Sequence, residues 1–218
     1  MSLALGLLQS MLHDLPHPLC YLAAAYERRL ATGDVNLRLA HHTCHFASEQ
    51  WLAQELAYLV NTEAGSFGMD GWHALLERKR VDVTLQPPAA IDRPIHLELK
   101  QVTPAYWSNW HEVYHDLGCH PDHPARKGRS EADYAICYLI YGANAGAIRS
   151  REATALKYRR LIEGVPTSQG MFTPVDGMPS LRLRHTSEPI CLDWRRAPAD
   201  TWPEGYRANL RILWVSAT

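Results

Sequence analysis

Two short apolar runs, Arg80-Val-Asp-Val-Thr-Leu85 and Ile95-His-Leu-Glu-Leu-Lys-Gln-Val102, carry charged side chains where a core strand would carry none. The residues concerned are Asp82, Glu98 and Lys100. Successive side chains of a strand point to opposite faces, so Leu97 and Leu99 share one face while Glu98 and Lys100 project together from the other. If the two runs lie side by side, two carboxylates and an ammonium are offered to one small volume. Carboxylates that close repel unless a cation sits between them, and an all-oxygen donor set suits Mg2+ or Mn2+ rather than zinc. The chemistry open to such a set is phosphodiester hydrolysis. A carboxylate-held metal polarises the phosphate and lowers the pKa of a bound water, while the ammonium steadies the attacking hydroxide or the charge of the transition state.

Asp82 followed by Glu98-Leu99-Lys100 resembles the signature of the PD-(D/E)XK nuclease superfamily, the restriction-endonuclease-like fold, which has an aspartate on one strand and Glu-x-Lys or Asp-x-Lys on the next. Val81 stands where the name-giving proline would be, and that proline is often absent in the family. The resemblance spans residues 44–142. It implies that Asp82 and Glu98 hold one or two Mg2+ (or Mn2+) ions, that the main-chain carbonyl of Leu99 is a further ligand, and that Lys100 orients the nucleophilic water. It also implies a nucleic-acid substrate, DNA ahead of RNA.

A separate feature points the same way. Residues 44–61 read as a helix whose apolar members Phe46, Leu52, Ala53, Leu56, Leu59 and Val60 form one stripe at helical spacing, with Glu49 in the middle of it. A polar group buried there without a partner costs roughly 2 to 7 kcal/mol, so Glu49 needs a cation or hydrogen bonds. The resembled family commonly places a helical glutamate near its metal, and Glu49 is the position that fits. The bland alternative is a core glutamate paired with an arginine. Glu55 falls toward the edge of the stripe and is expected to be solvated.

A competing motif follows. His111-Glu112-Val113-Tyr114-His115 is a literal HExxH, which on a helix sets two imidazoles one turn apart to bind zinc with Glu112 as base. A third ligand is poorly supplied: Pro121 stands where a histidine would continue the motif, flanked by His120 and His123, and Asp116 follows the second histidine directly. A zinc hydrolase built on His111, Glu112 and His115 is therefore one alternative. The other is a nuclease-like fold retired to a non-catalytic module that binds nucleic acid or protein. The intact Asp82, Glu98 and Lys100 weigh against retirement, since a retired site has no use for a buried charge constellation.

Composition sets wide bounds. The chain has 218 residues, 46% of them hydrophobic, and a formal net charge of -1, which leaves nucleic-acid binding to local patches. Residues 124–160 hold eight basic side chains against three acidic, whereas residues 1–64 hold three against six. Lys127 and Arg129, around Gly128, are the residues of that basic stretch best placed to reach a phosphate backbone. The five cysteines are scattered without a CxxC pair, which reads as reduced thiols. The apolar run in residues 1–12 lacks a basic leader and is too short to span a bilayer, so a cytoplasmic protein with no membrane partner is expected. A homodimer would suit double-strand cutting.

These residues need a scaffold. Residues 3–30 read as two helices divided by Pro16 and Pro18, ahead of the Glu49 helix and the strand pair joined by Gln86-Pro-Pro88 and Asp92-Arg-Pro94. A helix from Tyr106 to Leu117 stopped by Gly118, a buried strand from Tyr134 to Tyr141 and a helix from Ile148 to Glu163 follow. One early strand is unassigned and could be Val35 to Leu39 or His73 to Arg78. Alternation in residues 181–185, 190–194 and 210–215 predicts short terminal strands. The expectation is an α/β fold in one domain: a restriction-endonuclease-like αβββαβ core over residues 44–165, N-terminal helices over 1–43, and a C-terminal β extension over 166–218.

Overall fold

The computed structural model describes residues 14–44, 48–76, 81–89, 92–102, 109–122, 132–142, 165, 168–192 and 208–218. Within them the chain forms a mixed α/β structure around one eight-stranded sheet. The helices are α1 (Leu19–Ala31), α2 (Gly33–Cys44), α3 (Ser48–Glu63) and α4 (Asn109–Asp116). The strands are β1 (His73–Leu76), β2 (Val83–Gln86), β3 (Ile95–Val102), β4 (Tyr134–Gly142), β5 (Gly170–Phe172), β6 (Leu181–Thr186), β7 (Ile190–Leu192) and β8 (Ala208–Ser216). No helix among the described residues is long and apolar enough to cross a membrane.

The unassigned early strand is β1, not Val35 to Leu39, which lies inside α2. In that helix Leu39 and Ala40 are fully buried, so a helical rather than an alternating face carries the burial. Strand β1 pairs antiparallel with β2 and β2 antiparallel with β3, β3 runs parallel to β4, and β4 runs antiparallel to β8. A parallel neighbour demands a crossover, and α4 lies in the segment that makes it. The C-terminal strands belong to the same sheet: β8 lies beside β4 from Ala135↔Val215 to Gly142↔Ala208, and its far edge takes β6 and β7.

Strands β4 and β8 are covered on both sides and carry apolar residues on both faces, whereas β3 is apolar mainly on the face that bears Leu97 and Leu99. One face packs Leu97, Leu99, Ile136, Tyr138 and Trp214 against α1, α2 and α3. The other packs Ala135, Cys137, Leu213 and Val215 with Trp110, Val113, Tyr114 and Leu117 of α4. Helix α3 contributes Leu52, Ala53, Leu56, Leu59 and Val60 to the first core, the stripe expected of it apart from Phe46, which lies outside the described residues. Gly118, at φ +69°, ends α4 in the left-handed conformation that glycine adopts without steric penalty. The expected helices before residue 14 and over 148–163 lie outside the described residues, as does the Tyr106 end of the helix that becomes α4.

Candidate active site at the end of the β2–β3 ladder

Strands β2 and β3 pair at Leu85↔Ile95, Thr84↔His96 and Val83↔Leu97, and there the ladder stops. Strand β3 continues to Val102, held on its other edge by β4 from Leu97↔Tyr134 to Val102↔Leu139. Beyond Leu97 no strand among the described residues pairs with its edge toward β2, and buried backbone donors there must find other acceptors. Two carboxylates supply them. Leu99 N–H donates to Asp82 Oδ2 at 2.8 Å, and Gln101 N–H donates to Glu49 Oε1 at 2.6 Å. Asp82 arrives at the N-terminal end of β2, and Glu49 arrives from the first turn of α3 on the other face of the sheet.

Glu98 and Lys100, on either side of the Leu99 amide, project toward α4 as strand alternation requires. Glu98 is only 2% exposed. Burial first, then the neighbouring carboxylates Asp82 and Asp116, raise its pKa far above the usual carboxylate range, to about 9. Burial also raises Glu49, opposed by the Gln101 amide and by Lys100. At Lys100 burial works against the charge, but Asp116, Glu49, Glu98 and Glu112 outweigh it and hold the ammonium charged above its ordinary range. Lys100 Nζ lies 3.4 Å from Glu112 Oε2 and 3.4 Å from Asp116 Oδ2, both on α4.

The structure brings the sequence-predicted Asp82, Glu98, Lys100 and Glu49 into one region, with Leu99 at its centre through its backbone. Sequence reasoning missed Asp116. That residue falls three positions after Val113 and directly before Leu117, both buried, so helical spacing already set it toward the sheet. Glu55 differs from expectation as well: its carboxylate pairs with Arg29 at 2.8 Å and is 13% exposed, because α1 packs across it. Lys127 and Arg129 lie outside the described residues.

The histidines of the HExxH stretch lie on α4, next in sequence to Glu112 and Asp116. His111 is exposed, and His115 stacks flat on His120 with centroids 4.0 Å apart. His120 Nδ1 accepts a hydrogen bond from Asp122 N–H at 3.2 Å. Glu112, the base of a zinc reading, turns toward Lys100. Cys137, the β4 partner of Lys100, is fully buried and its thiol is pushed up by that burial, which makes it inert rather than nucleophilic.

Among the described residues no three His, Cys, Asp or Glu side chains are gathered as a ready-made metal cage. The reason is visible at the strand edge, where Asp82 and Glu49 are turned onto the β3 amides. The donor chemistry nonetheless fits a hard divalent cation. Asp82, Glu98, Glu49, Asp116 and Glu112 act electrostatically on one another around a single ammonium, and the excess of carboxyl groups calls for a proton or a cation. Comparison with protein-family models, with curated proteins and with solved structures finds no match to this chain.

Proposed function

We propose that this chain is a metal-dependent nuclease of the PD-(D/E)XK type, hydrolysing phosphodiester bonds in DNA ahead of RNA. One observation carries the reading: Asp82, Glu98, Lys100 and Glu49 converge where the β2–β3 ladder ends, along a strand whose other edge is paired with β4 from Leu97 to Val102. The element order also supports it. From α3 onward the described chain runs helix, three strands, helix, strand, the αβββαβ order of the resembled fold.

Asp82 and Glu98 would hold Mg2+ or Mn2+, with Glu49 and the Leu99 carbonyl on the same edge. When bound, such an ion supplies Lewis-acid polarisation of the phosphate and a water of lowered pKa. The chain's own groups do the rest. Lys100 presents an ammonium that the surrounding carboxylates keep charged, suited to orient an attacking water and to stabilise negative charge on phosphoryl oxygens. The Asp82 and Glu49 bonds to the β3 amides hold the strand edge that carries Glu98.

The test is cleavage of supercoiled plasmid, single-stranded DNA and RNA with Mg2+, Mn2+ or EDTA, comparing wild type with Glu98→Gln. Nicking that needs the metal and disappears in the variant is the expected result. Binding of DNA without cleavage under any of these metals would overturn it and favour a non-catalytic module.

A further inference from the structure

The literal HExxH helix has a use in this fold that its histidines do not explain. Helix α4 faces β3, and it turns Glu112 and Asp116, one turn apart, toward Lys100 at the same distance of 3.4 Å. Equal distances do not mean equal influence. Glu112 is 62% exposed, so water screens its charge and its side chain is free to leave; Asp116 is 2% exposed. A charge held out of water interacts more strongly with its partner and is far more sensitive to that partner's loss.

The backbone around Asp116 is also anchored. Its carbonyl accepts the Ala132 N–H at 2.9 Å, which ties the end of α4 to the approach to β4. Tyr114, two residues earlier, is fully buried and donates its hydroxyl proton to Pro179 O at 2.8 Å. Trp110 packs edge-on against Phe172. Lysine, by contrast, reaches its ammonium through a flexible four-carbon stem that needs an external restraint to hold one position.

We propose that Asp116 is the positioning residue for Lys100: its buried carboxylate sets where the ammonium stands beside Glu98, and thereby the turnover rate of the site, while Glu112 contributes little. The catalytic part of this inference rests on the nuclease reading above; the placement of Lys100 does not.

The experiment has two arms. In the first, Asp116→Asn lowers kcat for plasmid nicking by about a hundredfold, the scale of a misplaced reacting group, with KM for DNA nearly unchanged. Glu112→Gln lowers it by about threefold, and Asp116→Glu, which restores a carboxylate, recovers part of the loss. A folded Asp116→Asn variant with wild-type kcat would overturn the proposal. The second arm needs no activity. Lys100 is one of four lysines, so its ammonium can be observed by 15N-lysine NMR and assigned by its loss in Lys100→Arg. A Lys100 ammonium cross-peak in the wild type that vanishes in Asp116→Asn supports the placement even if no substrate is cleaved. A cross-peak that persists in that variant overturns it. Should the variant not fold, a wild-type Lys100 ammonium too mobile to give a cross-peak overturns it as well.

Discussion

Leu99 N–H donates to the Asp82 carboxylate at 2.8 Å, although Asp82 lies one residue beyond the last ladder pair, Val83 and Leu97. An acidic side chain has taken over a bond that a neighbouring strand would normally make. Glu49 does the same for Gln101, from the opposite face of the sheet. The two substitutions of side chain for strand explain how β2 can leave the sheet without stranding buried amides. They also explain why Asp82 and Glu49, which come from separate elements, join Glu98 near Lys100. The break in the ladder and the concentration of charge are one feature.

Divalent cation should stabilise this protein through Asp82. At ten times its dissociation constant, a ligand that binds only the folded state adds about 1.4 kcal/mol. For a chain of this size that is a rise of about 3 to 6 °C in Tm. Scanning fluorimetry in Mg2+ against EDTA should show the rise in wild type and not in Asp82→Ala. An equal rise in both would place the cation elsewhere.

The legible part of this site was the part written locally. Alternation along β3 puts Glu98 and Lys100 on one face whatever the rest of the chain does, and a glutamate inside an apolar helical stripe marks Glu49 in the same way. What could not be read depends on contacts distant in sequence. Asp116 gains its meaning only when α4 is laid over β3, and Glu55 was misjudged because its partner, Arg29, is 26 residues away on another helix. Strand β8 shows the same limit: its alternation was clear, but nothing local says that it pairs with β4 in the middle of the sheet. Strand β1 has only four residues and too little pattern to separate it from Val35 to Leu39.

Arg29→Ala should destabilise the fold by about 2 kcal/mol. The guanidinium bridges Glu55 at 2.8 Å and Glu63 at 3.2 Å, and sits 4.9 Å above the Tyr58 ring, joining α1 to α3. Its loss leaves the Glu55 carboxylate mostly out of water without its cation. The arginine keeps 20% exposure, so the cost falls below the roughly 3 to 5 kcal/mol of a fully buried broken pair. Urea unfolding measures it, and a change under 0.5 kcal/mol would mean that water compensates fully.

Asn61→Ala should both weaken the protein and expose an edge. The Asn61 side chain donates to Ala74 O at 3.0 Å and accepts from Ala74 N–H at 2.8 Å, closing the outer edge of β1 as a neighbouring strand would. Losing both bonds costs about 1 to 2 kcal/mol. An uncovered strand edge is also a template for another chain. Light scattering at rising concentration should show more self-association in the variant than in wild type, with Asn61→Asp, which keeps only the acceptor, in between.

Without added metal, stability should fall as pH rises from about 4.5 to about 9. The Glu98 carboxyl has an ordinary value of 4.5 in the unfolded chain and is pushed up to about 9 in the fold by burial, then by Asp82 and Asp116. Across that window the folded state keeps a proton that the unfolded state has released, so raising the pH favours unfolding. The contribution is fully present below the unfolded value and lost by the folded one. Glu49, also raised by burial, acts in the same direction. Lys100 is raised from 10.5 and so contributes no slope below that value. Urea midpoints in EDTA, measured from pH 5 to 9, should slope downward in wild type and lie flatter in Glu98→Gln, whose amide has no proton to lose. Saturating Mg2+ should flatten the wild-type profile too, since a cation beside Glu98 favours the ionised carboxylate that the metal-free fold resists. A variant as steep as wild type would show that the proton resides on some other group.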